Sequence, residues 1–272
     1  AFTDYEMGVS VLRPLNRIEG NNITQVNHKA LYRQYGPKDV KKKINELLNE
    51  NNIDMVIFCM DFDYEFSVEY FSDLTNQYYT ILYIGDDEHS FDKSSRYYSQ
   101  AFDLVITQNR FMVQRYEHYA VDAILDSPGL DLRNKNMYQG EKTHDVCFVG
   151  STNKVGRKEY LEHLVKNNID VKIYGSGTMG GVVSREEMNT IFSSSKIGLS
   201  FHGVAFCSGL DRDLTINRRM KQTKMRPQET ALTGTFVLAE YYPGITDFFE
   251  IGKEIDVFRN KNELIEKINY YL

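Results

Sequence analysis

The sequence predicts an α/β protein of two Rossmann-like, doubly wound domains facing a cleft. Three observations predict it. Short β-branched or aromatic runs alternate with stretches of helical period along the chain. Most of those runs do not alternate apolar with polar residues, as strands buried on both faces of a parallel sheet do not. The alternation also restarts once, after the polar, aperiodic segment 131–143. The length of 272 residues accommodates two such domains. We place them at 1–135 and 136–272.

In the first half, Val9, Leu12, Leu15 and Ile18 make one helical stripe, and Ile23–Val26 reads as a short strand. Gly36-Pro37 opens a helix carrying Val40, Ile44, Leu47 and Leu48 on one face, with Pro37 suited to its first turn. A strand over 54–59, a helix over 68–74 and a strand over 80–84 follow. Next come a strand over 102–107, a helix over 111–119 and a strand over 122–125. Because Ala1 lies directly before a helical stripe, the first strand of this domain is expected to be missing. In the second half, strands are expected at 145–149, 171–174, 197–201, 236–239 and 256–258. Helices are expected at 157–167, from Ser184 onward, at 227–232 and at 262–272. Ser184 with Glu187 three residues later forms a capping-box signature. The last helix gathers Leu264, Ile265, Ile268, Tyr271 and Leu272 on one face.

Composition excludes several classes. Hydrophobic residues make up 42% and charged residues 26%, a globular balance. The longest apolar run, Met55–Met60, is far short of the ~20 residues that span a bilayer. Contact with a membrane surface remains compatible with that. Asp4 and Glu6 stand where a basic, then apolar leader would lie, and the three cysteines (Cys59, Cys147, Cys207) form no C-x-x-C, so a cytoplasmic location is expected. A net charge of −6 argues against nucleic acid as the partner.

Several segments carry candidate chemistry. Gly175-Ser176-Gly177-Thr178-Met179-Gly180 matches G-x-G-x-x-G after a strand. A dinucleotide site needs the helix to begin inside the motif, and here it begins only after Ser184, so a glycine turn is the better reading. Asp61-Phe62-Asp63 has a D-x-D spacing able to hold a divalent cation, or is a solvated strand end. Asp86, Asp87 and His89 cluster at another strand end, where they supply a general base or cap the next helix. Residues 214–226 hold five basic residues and no acid, ending at a helix start: a diphosphate site or a solvated loop. Glu229 sits in that helix's first turn. The histidines show no metal-ligand spacing, and neither a G-x-S-x-G elbow nor a P-loop occurs.

The segments VCFVGS (146–151), Arg157, VKIYGSG (171–177), SREEMNTIFSSSKIGLSF (184–201), KMRPQETALTGTFVLAEYYPG (224–244) and the stretch 250–272 resemble the donor-binding half of group-1 glycosyltransferases of the GT-B fold. The spore-maturation-type branch of bacterial surface-polysaccharide clusters is the nearest. The first half agrees at FDLVITQN and AILDSPGLD. The resemblance implies transfer of a sugar from a nucleotide-diphosphate donor to a saccharide, lipid-linked or protein acceptor, with no permanently bound cofactor and no required metal. It assigns donor contacts to Gly150, Ser151, Arg157, Tyr174, Gly175, Lys224, Met225, Arg226 and Glu229. It departs from the E-x7-E pattern, because Lys221 stands where the first acid belongs. On the acceptor side the expected catalytic group is Asp87 first, then His89 or Asp86. The alternatives are a metal-dependent, GT-A-like transferase using Asp61 and Asp63, which requires one mixed sheet, and a non-catalytic two-domain binding protein.

Overall fold

The structure is a computed structural model that describes residues 15–60, 66–126, 141–204 and 219–272. The chain divides into two compact units, Ala1–Asp131 and Leu132–Leu272.

The first unit opens with helix α1 (His28–Glu50), capped by the Asn27 side chain, which accepts from the Ala30 amide. Gly36, at φ 73° and ψ 175°, breaks it into two segments, and Pro37 starts the second. The expected helix therefore begins where Gly36-Pro37 indicates. The preceding segment was hidden by a short, largely polar sequence, and the strand expected at Ile23–Val26 is not formed. The stripe Val9–Ile18 lies mostly outside the described residues. Strand β1 (Met55–Met60), helix α2 (Val68–Thr75), β2 (Tyr79–Ile84), β3 (Leu104–Thr107), helix α3 (Arg110–His118) and β4 (Ala123–Leu125) follow. Between β2 and β3 the chain makes a succession of short helical turns over 87–101 that no periodicity announced.

The sheet order is β1-β2-β3-β4 and every pair is parallel, with Val56 opposite Thr80, Leu82 opposite Val105 and Ile106 opposite Ile124. One core gathers Val40, Ile44 and Leu48 of α1, Phe71 and Leu74 of α2, Met112 and Tyr116 of α3, and Val56, Phe58, Leu82, Ile84 and Val105 of the sheet.

The second unit contains β5 (His144–Val149), α4 (Arg157–Lys166), β6 (Val171–Tyr174), α5 (Arg185–Ser193), β7 (Ser195–Ser200), α6 (Arg226–Leu232), β8 (Phe236–Glu240), β9 (Asp256–Phe258) and α7 (Lys261–Tyr271). Its order is β6-β5-β7-β8-β9, again all parallel. The chain runs outward from β5 to β6 and then reverses to β7. That reversal creates a switch point between β5 and β7, where open α/β sheets bind ligands beyond their strand C-termini. Val146, Phe148, Ile197 and Leu199 pack against Leu161 and Leu164 of α4 and Leu264 and Ile268 of α7. Cys147 and Val149 point the other way, onto Met188 and Phe192 of α5. Burial on both faces is why β5 reads as an unbroken apolar run.

Every strand pair among the described residues is parallel, so the single mixed sheet of the metal-dependent alternative is not what the chain forms.

Candidate functional site

At the C-terminal edge of the second sheet, the loops leaving β5, β6 and β7 are tied to one another through the backbone. Gly150 N donates to Tyr174 O at 2.9 Å, Thr152 N to Ser176 O at 3.0 Å and Val155 N to Val204 O at 3.1 Å. The Thr152 hydroxyl donates to Gly177 O at 3.1 Å. Glycine is required where the loops meet. Gly175 has φ +124°, and a Cβ there would lie 2.2 Å from the Gly150 carbonyl oxygen; one on Gly203 would lie 2.2 Å from Val155 O. The glycine run 175–180 is thus a turn docked on the β5 loop, and α5 starts well past it. Gly150, Ser151, Tyr174 and Gly175, four of the expected donor residues, lie together in this knot.

Arg157 belongs to the same place in a different role. It is 7% exposed. Its guanidinium donates to Ser151 O at 2.9 Å and Phe201 O at 3.0 Å. The structure turns it inward, so Arg157 braces the β5 and β7 loops through those two carbonyls.

Beneath the β7 loop, His202 is fully buried, with Nδ1 2.9 Å from Gln222 O and its ring 4.2 Å from that of Tyr242. Burial, reinforced by Lys224, Arg157 and Lys221, pushes its pKa down to about 3, so the imidazole is neutral. Its backbone N–H donates to Glu240 Oε2 at 2.9 Å, and Lys221 closes an ion pair on Glu240 Oε1. Lys224 donates to Gln222 Oε1 at 2.6 Å.

Arg226 starts α6 but folds back. Its guanidinium meets Glu229 Oε2 at 2.8 Å and lies 5.6 Å from the Phe192 ring. Arg185 approaches the other oxygen of Glu229 at 3.6 Å. Glu229 is therefore a carboxylate held between two guanidinium groups, not a solitary acid at a helix start. Of the basic run 214–226, residues 214–218 lie outside the described residues.

An open basin lies beside these loops. Lys154, Lys158, Arg219, Lys221, Arg259 and Lys261 line it, against only Glu159 and Glu240 among acids. Its excess of positive charge suits a diphosphate. Four of these cations, at 154, 158, 259 and 261, are scattered in sequence and assembled only by the fold, so no run signalled them.

In the first unit, Asp87 does not open outward as expected. It is 1% exposed and accepts from the Thr107 hydroxyl at 3.1 Å and the Tyr116 hydroxyl at 3.0 Å. Burial first, then the nearby charge of Glu88, raises its carboxyl to about 7 against the pull of those hydrogen bonds. The cause is the tight helical turn Asp87–His89, which tucks the side chain under α3. Asp86 adopts a left-handed backbone, φ 56°, at the turn's start and is half-buried. The side chain of His89 lies outside the described residues, as do Asp61 and Asp63. No group of three metal-ligating side chains occurs among the described residues.

A second acid at this sheet edge was not singled out by sequence. Asp126, just past β4, is half-buried, and burial raises its carboxyl above the ordinary range; on the neighbouring β2 the Tyr83 hydroxyl accepts from Gln108 Nε2 at 2.8 Å.

Residues 157–272 match the family model described as "Glycosyl transferase-like". Among solved structures, sucrose-phosphate synthase from Thermosynechococcus elongatus aligns over 93% of this chain and 72% of its own, at TM-score 0.60 and 10% identity. HepE from Anabaena, solved with UDP and glucose, aligns over 95% of this chain and 78% of its own, at TM-score 0.59 and 10% identity. TarM aligns over 85% of this chain at TM-score 0.57 and 13% identity, and the chain spans 50% of TarM's length. A comparison with curated protein sequences gives no match. At such identities the structural likenesses carry the fold alone. The chain has the fold of these GT-B structures, and its residues 157–272 match the glycosyl transferase-like family.

Proposed function

We propose that the second unit binds the nucleotide-diphosphate sugar and the first unit the acceptor, in synthesis of a surface polysaccharide or glycoconjugate of the spore-maturation-type branch. The observation that carries this reading is the backbone-tied edge of the second sheet at its switch point, bordered by the basic basin. The glycines at 150 and 175 let a flat base and phosphates come close to the backbone, with Ser151 and Tyr174 beside them. Lys224 and the basin lysines face the diphosphate, and Glu229 orders Arg226 with Met225 at the start of α6 and offers its remaining acceptor capacity to ribose hydroxyls. Arg157 supports the loop.

The donor is a substrate, and the acceptor is a saccharide, a lipid-linked sugar or a protein hydroxyl. No helix among the described residues is long and apolar enough to cross a membrane. A cytoplasmic enzyme, drawing on cytoplasmic nucleotide sugars, is part of the proposal.

A thermal-shift screen against UDP-, GDP-, dTDP- and CMP-sugars tests it. A ligand at 100 times its Kd adds ~2.7 kcal/mol of stability. Glu229→Ala is expected to weaken the best ligand by roughly tenfold to a hundredfold, the loss of a charged hydrogen bond of ~1.5–3 kcal/mol. Lys224→Ala should weaken the nucleoside diphosphate more than the nucleoside. Wild-type affinity in both variants by titration calorimetry removes this site. Tight binding without sugar transfer to any acceptor would favour the binding-protein alternative.

A further inference from the structure

We propose that the ion pair Glu240–Lys221 reads the sugar of the donor, through hydrogen bonds to two neighbouring hydroxyls of a neutral sugar. The proposal deepens the donor reading and rests on it.

Backbone contacts among the surrounding loops fix the pair. Glu240 ends β8, where it stands opposite Phe258 of β9, and it is 5% exposed. Its Oε2 accepts from the His202 backbone N–H at 2.9 Å, and its Oε1 meets the Lys221 ammonium. Lys221 is held in turn by an antiparallel bridge to Gly203, and the next amide, Gln222 N, donates to His202 O at 2.8 Å. The β5 loop closes on the same place, since Val155 N donates to Val204 O at 3.1 Å and a Cβ on Gly203 would strike Val155 O. The carboxylate and the ammonium are therefore set by the ends of β7, β8 and β9 together, and both line the basic basin.

The chemistry of the pair differs from that of the basin's other cations. Lys154, Lys158, Arg219, Arg259 and Lys261 bring positive charge, which suits a diphosphate. A carboxylate is an acceptor only, and so are the oxygens of an ionised diphosphate, so Glu240 repels that group and cannot bond to it. Burying an ion pair is also a weak way to gain stability, because desolvation offsets much of the attraction. What a carboxylate can take from a ligand in this basin is a hydroxyl proton. Each of its oxygens has lone-pair capacity beyond the bond already made, and the ammonium has N–H groups beyond the one directed at Glu240. An acceptor thus stands beside a donor, the complement of two adjacent hydroxyls that each give one proton and take another. The pair carries no net charge, which suits a neutral sugar over an acidic one. In a nucleotide-diphosphate sugar the hydroxyl-bearing ring is joined directly to the terminal phosphate. A diphosphate held by the basin's cations therefore keeps the sugar beside the same wall.

Titration calorimetry on the full chain tests the proposal with two probes, the nucleotide sugar of largest thermal shift and the nucleoside diphosphate of the same base. Glu240→Gln is expected to weaken the nucleotide sugar by about tenfold or more, through loss of a charge-assisted hydrogen bond, and the nucleoside diphosphate by less than about threefold. Combining Lys221→Met with Glu240→Gln removes the whole pair and leaves neither charge buried alone. The double variant is expected to show the same split, and it decides the matter should the single variant fold poorly. A pair that only fastens the loops would weaken both probes alike. Equal losses for the two probes, or wild-type affinity for the nucleotide sugar, overturn the proposal while the donor reading stands. If neither probe binds the wild-type protein, the donor reading fails and this proposal with it.

Discussion

Asp87 links a single side chain to the stability of the whole protein. Its carboxyl has an ordinary value of 3.8 and reaches about 7 in the fold. Between those values the folded protein binds a proton that the unfolded chain has released, so stability falls as pH rises through that window and the loss is complete above it. Asp87→Asn keeps the shape and cannot ionise. Its melting temperature relative to wild type is therefore expected to climb between pH 5 and pH 8, and parallel pH profiles for the two proteins would contradict this. Gly175 is the second sensitive residue. Alanine there would be strained at φ +124° and driven into the Gly150 carbonyl, for a loss of ~1–3 kcal/mol measurable by urea titration. The sequence marked both residues as special. Asp87 looked like an exposed base because a strand end followed by acids says nothing of a tight turn that folds the acid inward. The bracing role of Arg157 was not legible because carbonyls such as Ser151 O and Phe201 O carry no signature in side-chain pattern.

Among the elements, those with strong local signals were legible to within a residue or two. Strands β6 and β9 lie at the expected residues, and Ser184 and Glu187 form the expected capping box, with Ser184 N donating to Glu187 Oε2 at 2.7 Å and Glu187 N to Ser184 Oγ at 3.2 Å. Ser184→Ala is expected to cost ~1 kcal/mol, read as a lower thermal midpoint. The terminal helix α7 buries Leu264 and Ile268 completely and leaves Tyr270 81% exposed. Ile268→Ala should cost ~2–5 kcal/mol, whereas Tyr270→Ala should stay within ~0.5 kcal/mol of wild type. Comparable losses in both would show that α7 does not pack as described. What local pattern could not show was the first segment of α1 and the succession of turns over 87–101. Their residues are fixed by contacts distant in sequence, such as the Tyr98 hydroxyl donating to Phe66 O at 2.9 Å.

For the whole molecule, non-alternating strands and a restart of the pattern sufficed to indicate two parallel α/β sheets, because burial on both faces constrains composition strongly. Strand order was not written in the sequence in the same way. The reversal at β5 and β7, which makes a binding edge, follows from which strands find partners. The basic basin is likewise a property of the folded second unit. On the proposed function, this unit holds the nucleotide sugar. Hydrogen–deuterium exchange on the intact chain, with and without the nucleotide sugar of largest thermal shift, tests it most directly. Slower exchange is expected at 150–156, 174–177 and 221–229, with the helices of the first unit unchanged. Unaltered exchange in all three segments at saturating ligand, or protection confined to residues before 132, would contradict it.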